Sequence, residues 1–196
     1  MKSLRVRLAS LVVLIAGCGA ADGDGSAGNC RDEFMGARAT EVDALSLSVT
    51  DQCDENHIVT GDHTIGACGN VHYFQLWAKN PIFTDDVGKN LCLVDPTVKT
   101  DAKDLRICMF FSCREGATSI GCPDGTEAAT SPNGLPGCCG GSPGTLKADL
   151  KCDYGNGIPI SDDSASVYLR VERAAGPAPT SELESDCINY NLDFHF

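Results

Sequence analysis

From about residue 41 onward the chain alternates apolar and polar positions with a period of two. Asp43, Leu45, Leu47 and Val49 fall on one face and Val42, Ala44, Ser46 and Ser48 on the other, the spacing of a strand whose successive side chains point to opposite sides. His72-Tyr73-Phe74-Gln75-Leu76-Trp77 is rich in aromatic strand formers, and Asn80-Pro81 is its stop signal. Leu91 and Leu93 open another run, and Leu105, Ile107, Met109 and Phe111 a further one. Val167, Leu169 and Val171 alternate with Tyr168, Arg170 and Glu172. The last residues are the clearest case: Ile188, Tyr190, Leu192, Phe194 and Phe196 share one face, and Asn189, Asn191, Asp193 and His195 the other. No segment past residue 20 carries a helical repeat of useful length. Short strands separated by Gly, Pro and Asp turns predict an all-β protein, an antiparallel β-sandwich of jelly-roll-like form.

The alternation fails between Ser112 and Ser166, so a long cysteine-rich loop insertion is predicted over about 112–165. Ser131-Pro132-Asn133-Gly134 and Leu135-Pro136-Gly137 are turn signals within it. A loop of this length needs cross-links or a function to stay ordered. Cys113, Cys122, Cys138, Cys139 and Cys152 supply the first. With Cys30, Cys53, Cys68, Cys92, Cys108 and Cys187 they make eleven candidates for disulfides, an odd number that leaves one unpaired in the chain. Spacing does not fix the connectivity. The gap from Cys113 to Cys122 permits local closure, and adjacent Cys138 and Cys139 require different partners. No Cys-x-x-Cys occurs, and the four histidines are not paired with cysteines at metal-ligand spacing, so staples outweigh a thiol or zinc site.

The N-terminus is a targeting segment. Lys2, Arg5 and Arg7 precede an apolar run from Leu8 to Ala16 that is far short of the ~20 residues of a spanning helix. Its end, Leu14-Ile15-Ala16-Gly17-Cys18, resembles the bacterial lipobox. That resemblance implies a signal peptide over 1–17 and a diacylglyceryl thioether and acylated amine on Cys18. Several acyl chains give stable anchoring where one does not. Residues 18–40 then carry the lipidated cysteine and a small-residue tether. Asp22, Asp24, Ser26 and Glu33 match part of a calcium loop, but Ala27 stands where the sharp turn needs glycine. Gly19 after the lipid site favours outer-membrane sorting.

A second resemblance emerges along residues 41–196. Asn70-Val71-His72-Tyr73-Phe74-Gln75-Leu76 resembles the Asp-x-Asp-Tyr-Phe-x-Leu strand of bacterial pre-peptidase C-terminal domains, and Asp104-Leu105-Arg106-Ile107 their Asp-Leu-Asp-Leu strand. Val167–Val171 and Tyr190–Phe194 are similar to their last two strands. The resemblance implies a compact β-sandwich used as an accessory or free-standing module. It also implies calcium at acidic strand edges in some members, where this chain has Asn70, His72 and Arg106 instead of acids.

The 196-residue chain carries 15 Lys plus Arg against 27 Asp plus Glu. Removing Lys2, Arg5 and Arg7 leaves 12 − 27 = −15. Such an acidic surface excludes nucleic acid and is repelled by anionic headgroups, so the lipid must hold the protein at the membrane. Gly140-Gly141-Ser142-Pro143-Gly144 matches the Gly-x-Ser-x-Gly elbow in form. Pro143 has no N–H for an oxyanion hole, however, and a turn is the better reading. Acids cluster in turns at Asp51, Asp54 and Glu55, and at Asp101 and Asp104. Asp85, Asp86, Asp162 and Asp163 are candidates for a structural calcium ion. Tyr73 and Trp77 share a strand face that is either sandwich core or a stacking platform. No convincing nucleophile, cofactor loop or metal cluster is present. The expectation is a non-enzymatic, lipid-anchored outer-membrane or cell-surface protein with a binding or structural role, its partner an extracellular polymer or protein. The alternatives are a carbohydrate-active hydrolase and a calcium-dependent polymer-binding module.

Overall fold

The computed structural model describes Phe34 and residues 41–51, 57–66, 71–79, 96–153, 164–174 and 187–195. Among them are strands and no helix. In chain order these are β1 (Leu45–Asp51), β2 (Ile58–Val59), β3 (His63–Ile65), β4 (Val71–Lys79), β5 (Thr97–Thr100), β6 (Leu105–Cys113) and β7 (Ala117–Gly121). There follow β8 (Glu127–Thr130), β9 (Pro136–Gly141), β10 (Gly144–Lys147), β11 (Asp149–Asp153), β12 (Ala165–Arg173), β13 (Ile188–Tyr190) and β14 (Asp193–His195). A six-stranded sheet of order β1-β4-β12-β6-β9-β8 is joined by a four-stranded sheet of order β10-β5-β14-β2 and by the pairs β11-β7 and β13-β3.

Period-two patterning decides which face meets the core. On β4, β6 and β12 the alternate residues Phe74 and Leu76, Ile107 and Met109, and Val167 and Leu169 are buried. They pack with Val98 of β5, Leu146 of β10 and Phe194 of β14 in one apolar cluster. The two sheets are therefore the layers of a sandwich. Each such side chain removed from water contributes about 1.5–3 kcal/mol. The chain is all-β, as the alternation predicts.

Among the described strands one pairing departs from the antiparallel pattern: β1 runs parallel to β4, with Leu45 beside Phe74 and Asp51 beside Lys79. Parallel neighbours need a crossover, and here it includes β2 and β3, which belong to other sheets. The terminal stretch keeps its predicted alternation but divides its pairing. Tyr190 of β13 lies opposite His63, whereas Asp193 of β14 lies opposite Val59. Asn191 and Leu192 thus face Thr60, Gly61 and Asp62, two residues against three. This is a β-bulge, and Gly61 supplies its left-handed backbone at φ 83°. The backbone still closes across it, through Thr60 N–H to Leu192 O at 3.0 Å.

The stretch read as a loop carries β7 to β11. β8 and β9 extend the main sheet, β10 joins the second sheet, and β7 pairs with β11. These strands were invisible to apolar periodicity because they have few large apolar residues. β9 is Pro-Gly-Cys-Cys-Gly-Gly. Sulfur takes the place of hydrocarbon: Cys122 bonds Cys138, Cys108 bonds Cys139, and Cys113 bonds Cys152. The local closure from Cys113 to Cys122 that spacing permits is not used, since Cys113 ends β6, Cys122 follows β7, and each bonds a cysteine of a different strand. Adjacent Cys138 and Cys139 do take different partners, because neighbours on a strand face opposite ways. Cys187 is disulfide-bonded as well, and among the described residues no cysteine is free. Disulfides at this density place the protein in an oxidising, extracytoplasmic environment. Cys30, Cys53, Cys68 and Cys92 lie outside the described residues.

Gly137 is required by close approach. A Cβ there would overlap the backbone carbonyl of Met109 and lie 2.7 Å from Phe110 Cδ1, since β6 passes close by and the ring of the cross-strand partner Phe110 covers the position. At Gly140 the nearest atom is the mobile tip of Leu146, at 3.3 Å. Gly137→Ala is expected to lower stability in urea unfolding by about 2 kcal/mol or more, and Gly140→Ala by less than about 1 kcal/mol. Equal effects would contradict this packing.

Candidate functional site

The outer face of the six-stranded sheet carries two shallow grooves. Because Phe74 and Leu76 turn inward, Tyr73, Gln75 and Trp77 of β4 face outward, beside Tyr168 and Arg170 of β12 and Arg106 and Phe110 of β6. Tyr73 is nevertheless almost wholly buried and Trp77 partly so. Among the described residues the exposed large hydrophobics are Val42 and Val59. An aromatic platform open to a polymer is therefore not presented by this strand.

The first groove, about 370 Å³, is lined by Arg106, Thr126, Glu127, Gly140, Gly141 and Ala174 among others. Its cation is already engaged. Arg106 Nη1 donates to Glu172 Oε1 at 2.9 Å, and its Nε to Glu127 Oε1 at 3.2 Å. These hydrogen bonds, Glu127 first and then Glu172, raise the Arg106 pKa further above its ordinary value. Arg170 Nη2 also donates to Glu172. Arg106, which replaces an acid of the resembled strand, here ties β6 to β12 and β8.

The second groove, about 230 Å³, is lined by Glu41, Val42, Ser112, Asn133, Leu135 and Tyr168. The predicted turn after Ser131 positions Asn133 and Leu135. Ser131 N–H donates to Leu135 O at 2.8 Å, Leu135 N–H donates to Ser131 Oγ at 3.0 Å, and Gly134 adopts φ 86°. Glu41 is only 6% exposed, and neither of its carboxylate oxygens has a hydrogen-bond partner. Tyr73 nearby has its pKa raised, mainly by burial; Arg170 opposes the shift, and Glu41 and Glu172 add to it. A buried carboxylate without donors is costly, so this groove holds a polar group in excess of what the fold needs.

On the opposite layer, His57, Asp193 and His195 meet on the outer side of the four-stranded sheet. Phe194 is fully buried, which turns its neighbours Asp193 and His195 outward. The β14–β2 register pairs Asp193 with Val59 and Phe194 with Ile58, so one step further His195 lies opposite His57. The two imidazole centres are 4.4 Å apart, and His57 Nδ1 is 2.7 Å from Asp193 Oδ1. Burial, then the neighbouring His57, holds the His195 pKa below the usual histidine value. The sequence placed Asp193 and His195 on one polar face; the approach of His57, 136 residues from Asp193, had no signal in it.

Ser142 of the Gly-x-Ser-x-Gly stretch sits in the bend from β9 to β10, with no helix after it. Its Oγ accepts a hydrogen bond from Leu105 N–H at 3.0 Å, and its own N–H donates to Leu105 O. This is the geometry of a turn that joins the two layers. No family model, curated protein or solved structure matches the chain. Cys18 and the calcium candidates Asp85, Asp86, Asp162 and Asp163 lie outside the described residues. Of the other turn acids, Asp101 is open to solvent beside Lys99, and Asp104 adopts φ 59° in the turn before β6.

Glu41→Leu removes an unsatisfied buried carboxylate and is expected to raise stability by about 1–2 kcal/mol. Thermal or urea unfolding reads the change. A loss of stability would mean that the carboxylate has a partner.

Proposed function

We propose that the chain is a lipid-anchored envelope protein, sorted to the outer membrane, whose work is non-catalytic. It presents a durable β-sandwich on a tether from Cys18 and serves a structural or binding role outside the cytoplasm. The observation that carries this reading is the use of sulfur. The described cysteines are committed to disulfides, and six of them brace β6, β7, β9 and β11. That commitment suits a protein selected for persistence in an oxidising environment rather than for thiol chemistry. The bend at Ser142 supports the same reading, because its hydroxyl closes a turn. Among the described residues, the scarcity of exposed large apolar groups favours a structural role over a stacking platform for polymers.

The lipobox-like end at Cys18 supports the anchor. The sequences that resemble strands of pre-peptidase C-terminal domains support a free-standing module of that kind: Val71–Leu76, Leu105–Ile107 and Val167–Val171 do form strands.

Anchoring is tested by fractionating bacterial cells that express the full chain after labelling with palmitate. The full chain is expected to carry label and to sediment with outer membranes, and Cys18→Ala to lose both properties. Unlabelled protein, or Cys18→Ala remaining on the membrane, would overturn the reading.

A further inference from the structure

We propose that His57, Asp193 and His195 bind a divalent transition-metal ion of the zinc or copper(II) class. One ligand atom from each residue lies within 4.8 Å of the others. Two of them are already in contact, at 2.7 Å between His57 Nδ1 and Asp193 Oδ1. Ligand bonds of about 2.0–2.1 Å around a tetrahedral zinc place donor atoms roughly 3.4 Å apart, so capture needs side-chain movement of about an ångström.

Three features distinguish this cluster from an incidental meeting of polar side chains. His195 Nδ1 is buried and has no hydrogen-bond partner. A buried ring nitrogen without a partner costs free energy, which an ion bound at that nitrogen would recover. Second, Asp193 and His195 stand on paired backbone, and His57 directly precedes β2. β14 is hydrogen-bonded to β5 on one side and β2 on the other, and buried Phe194 fixes its rotation. Sites on such elements hold their geometry better than sites on loops. Third, the bulge at Thr60–Asp62 lies next to β2, and bulges commonly re-aim side chains beside functional sites.

The donor set selects the ion. Two imidazoles with one carboxylate suit zinc and copper, whereas calcium and magnesium take mostly oxygen. The side chains of His57 and Asp193 are 52% and 35% exposed, so water completes the coordination. The charged groups facing the site from neighbouring strands are Lys99, opposite Asp193 on β5, and Lys147 on β10, opposite Thr97. Both are well exposed or at the sheet's outer side, where solvent screens their repulsion.

The test uses the full, oxidised chain stripped with a chelator and titrated with zinc chloride. Equilibrium dialysis with metal analysis is expected to give one zinc per chain, and the melting temperature is expected to rise by several degrees and fall back with chelator. Calcium chloride should produce no shift. His57→Asn with His195→Gln should weaken zinc binding by tenfold or more. If that variant fails to fold, the wild-type histidine resonances decide: zinc should move those of His57 and His195 and leave those of His63 and His72. No stoichiometric zinc, unchanged affinity in the variant, or movement of His63 and His72 instead would overturn the proposal.

Discussion

β9 is held by sulfur from both faces, and much of the molecule depends on that grip. Its sequence, Pro136-Gly137-Cys138-Cys139-Gly140-Gly141, has no aliphatic or aromatic side chain to bury. Glycine and proline are poor strand formers, and a glycine-rich strand is prone to slip in register. β9 nevertheless lies inside the sheet, between β6 and β8. Strand geometry turns Cys138 toward the core and Cys139 away from it. Cys138 bonds Cys122 in the main apolar cluster, and Cys139 bonds Cys108, its direct cross-strand partner, under Phe110 and Tyr168. With both bonds closed, a one-residue slip would place each sulfur on the wrong face.

Several features follow from that fixed strand. Among the described residues β8 pairs within its sheet with β9 alone. The turn from Ser131 to Leu135 joins those two strands and supplies one wall of the groove that contains Glu41. At its other end β9 passes through the Ser142 bend into β10, which belongs to the second layer. The histidine cluster stands on that layer, two strands further across. Apolar burial holds β4, β5, β6, β10, β12 and β14; sulfur braces β9 and β11 and the end of β7. The two mechanisms divide the sandwich between regions rich in branched and aromatic residues and regions rich in glycine.

The same division explains what could be read from sequence. Leu105, Ile107, Met109 and Phe111, or Val167, Leu169 and Val171, announce their strands because each buries one side, and burial requires alternation. β7 to β11 gave no such pattern because each carries at most one large apolar residue, such as Ile120, Leu146 or Leu150, and backbone hydrogen bonds and disulfides impose no apolar period. Direction is also silent in the pattern, so the parallel pairing of β1 with β4 was not legible. The bulge at Thr60–Asp62 was equally hidden, since the terminal alternation continues through Leu192 while the partner strand gains a residue. That Cys138 and Cys139 must part was readable from strand geometry; the identity of their partners was not. The meeting of His57 with His195 depends on a register that forms only after β2 and β14 pair.

Hydrogen exchange across β9 tests the central claim directly. The oxidised wild-type chain is compared with a variant in which Cys108, Cys122, Cys138 and Cys139 are all replaced by alanine. In the wild type, amides of β9 should be protected to a degree close to those of β6. In the variant they should lose protection together with β8, while β4 and β12 keep theirs. Undiminished protection of β9 in the variant would show that the strand is held by something other than sulfur, and would contradict the account.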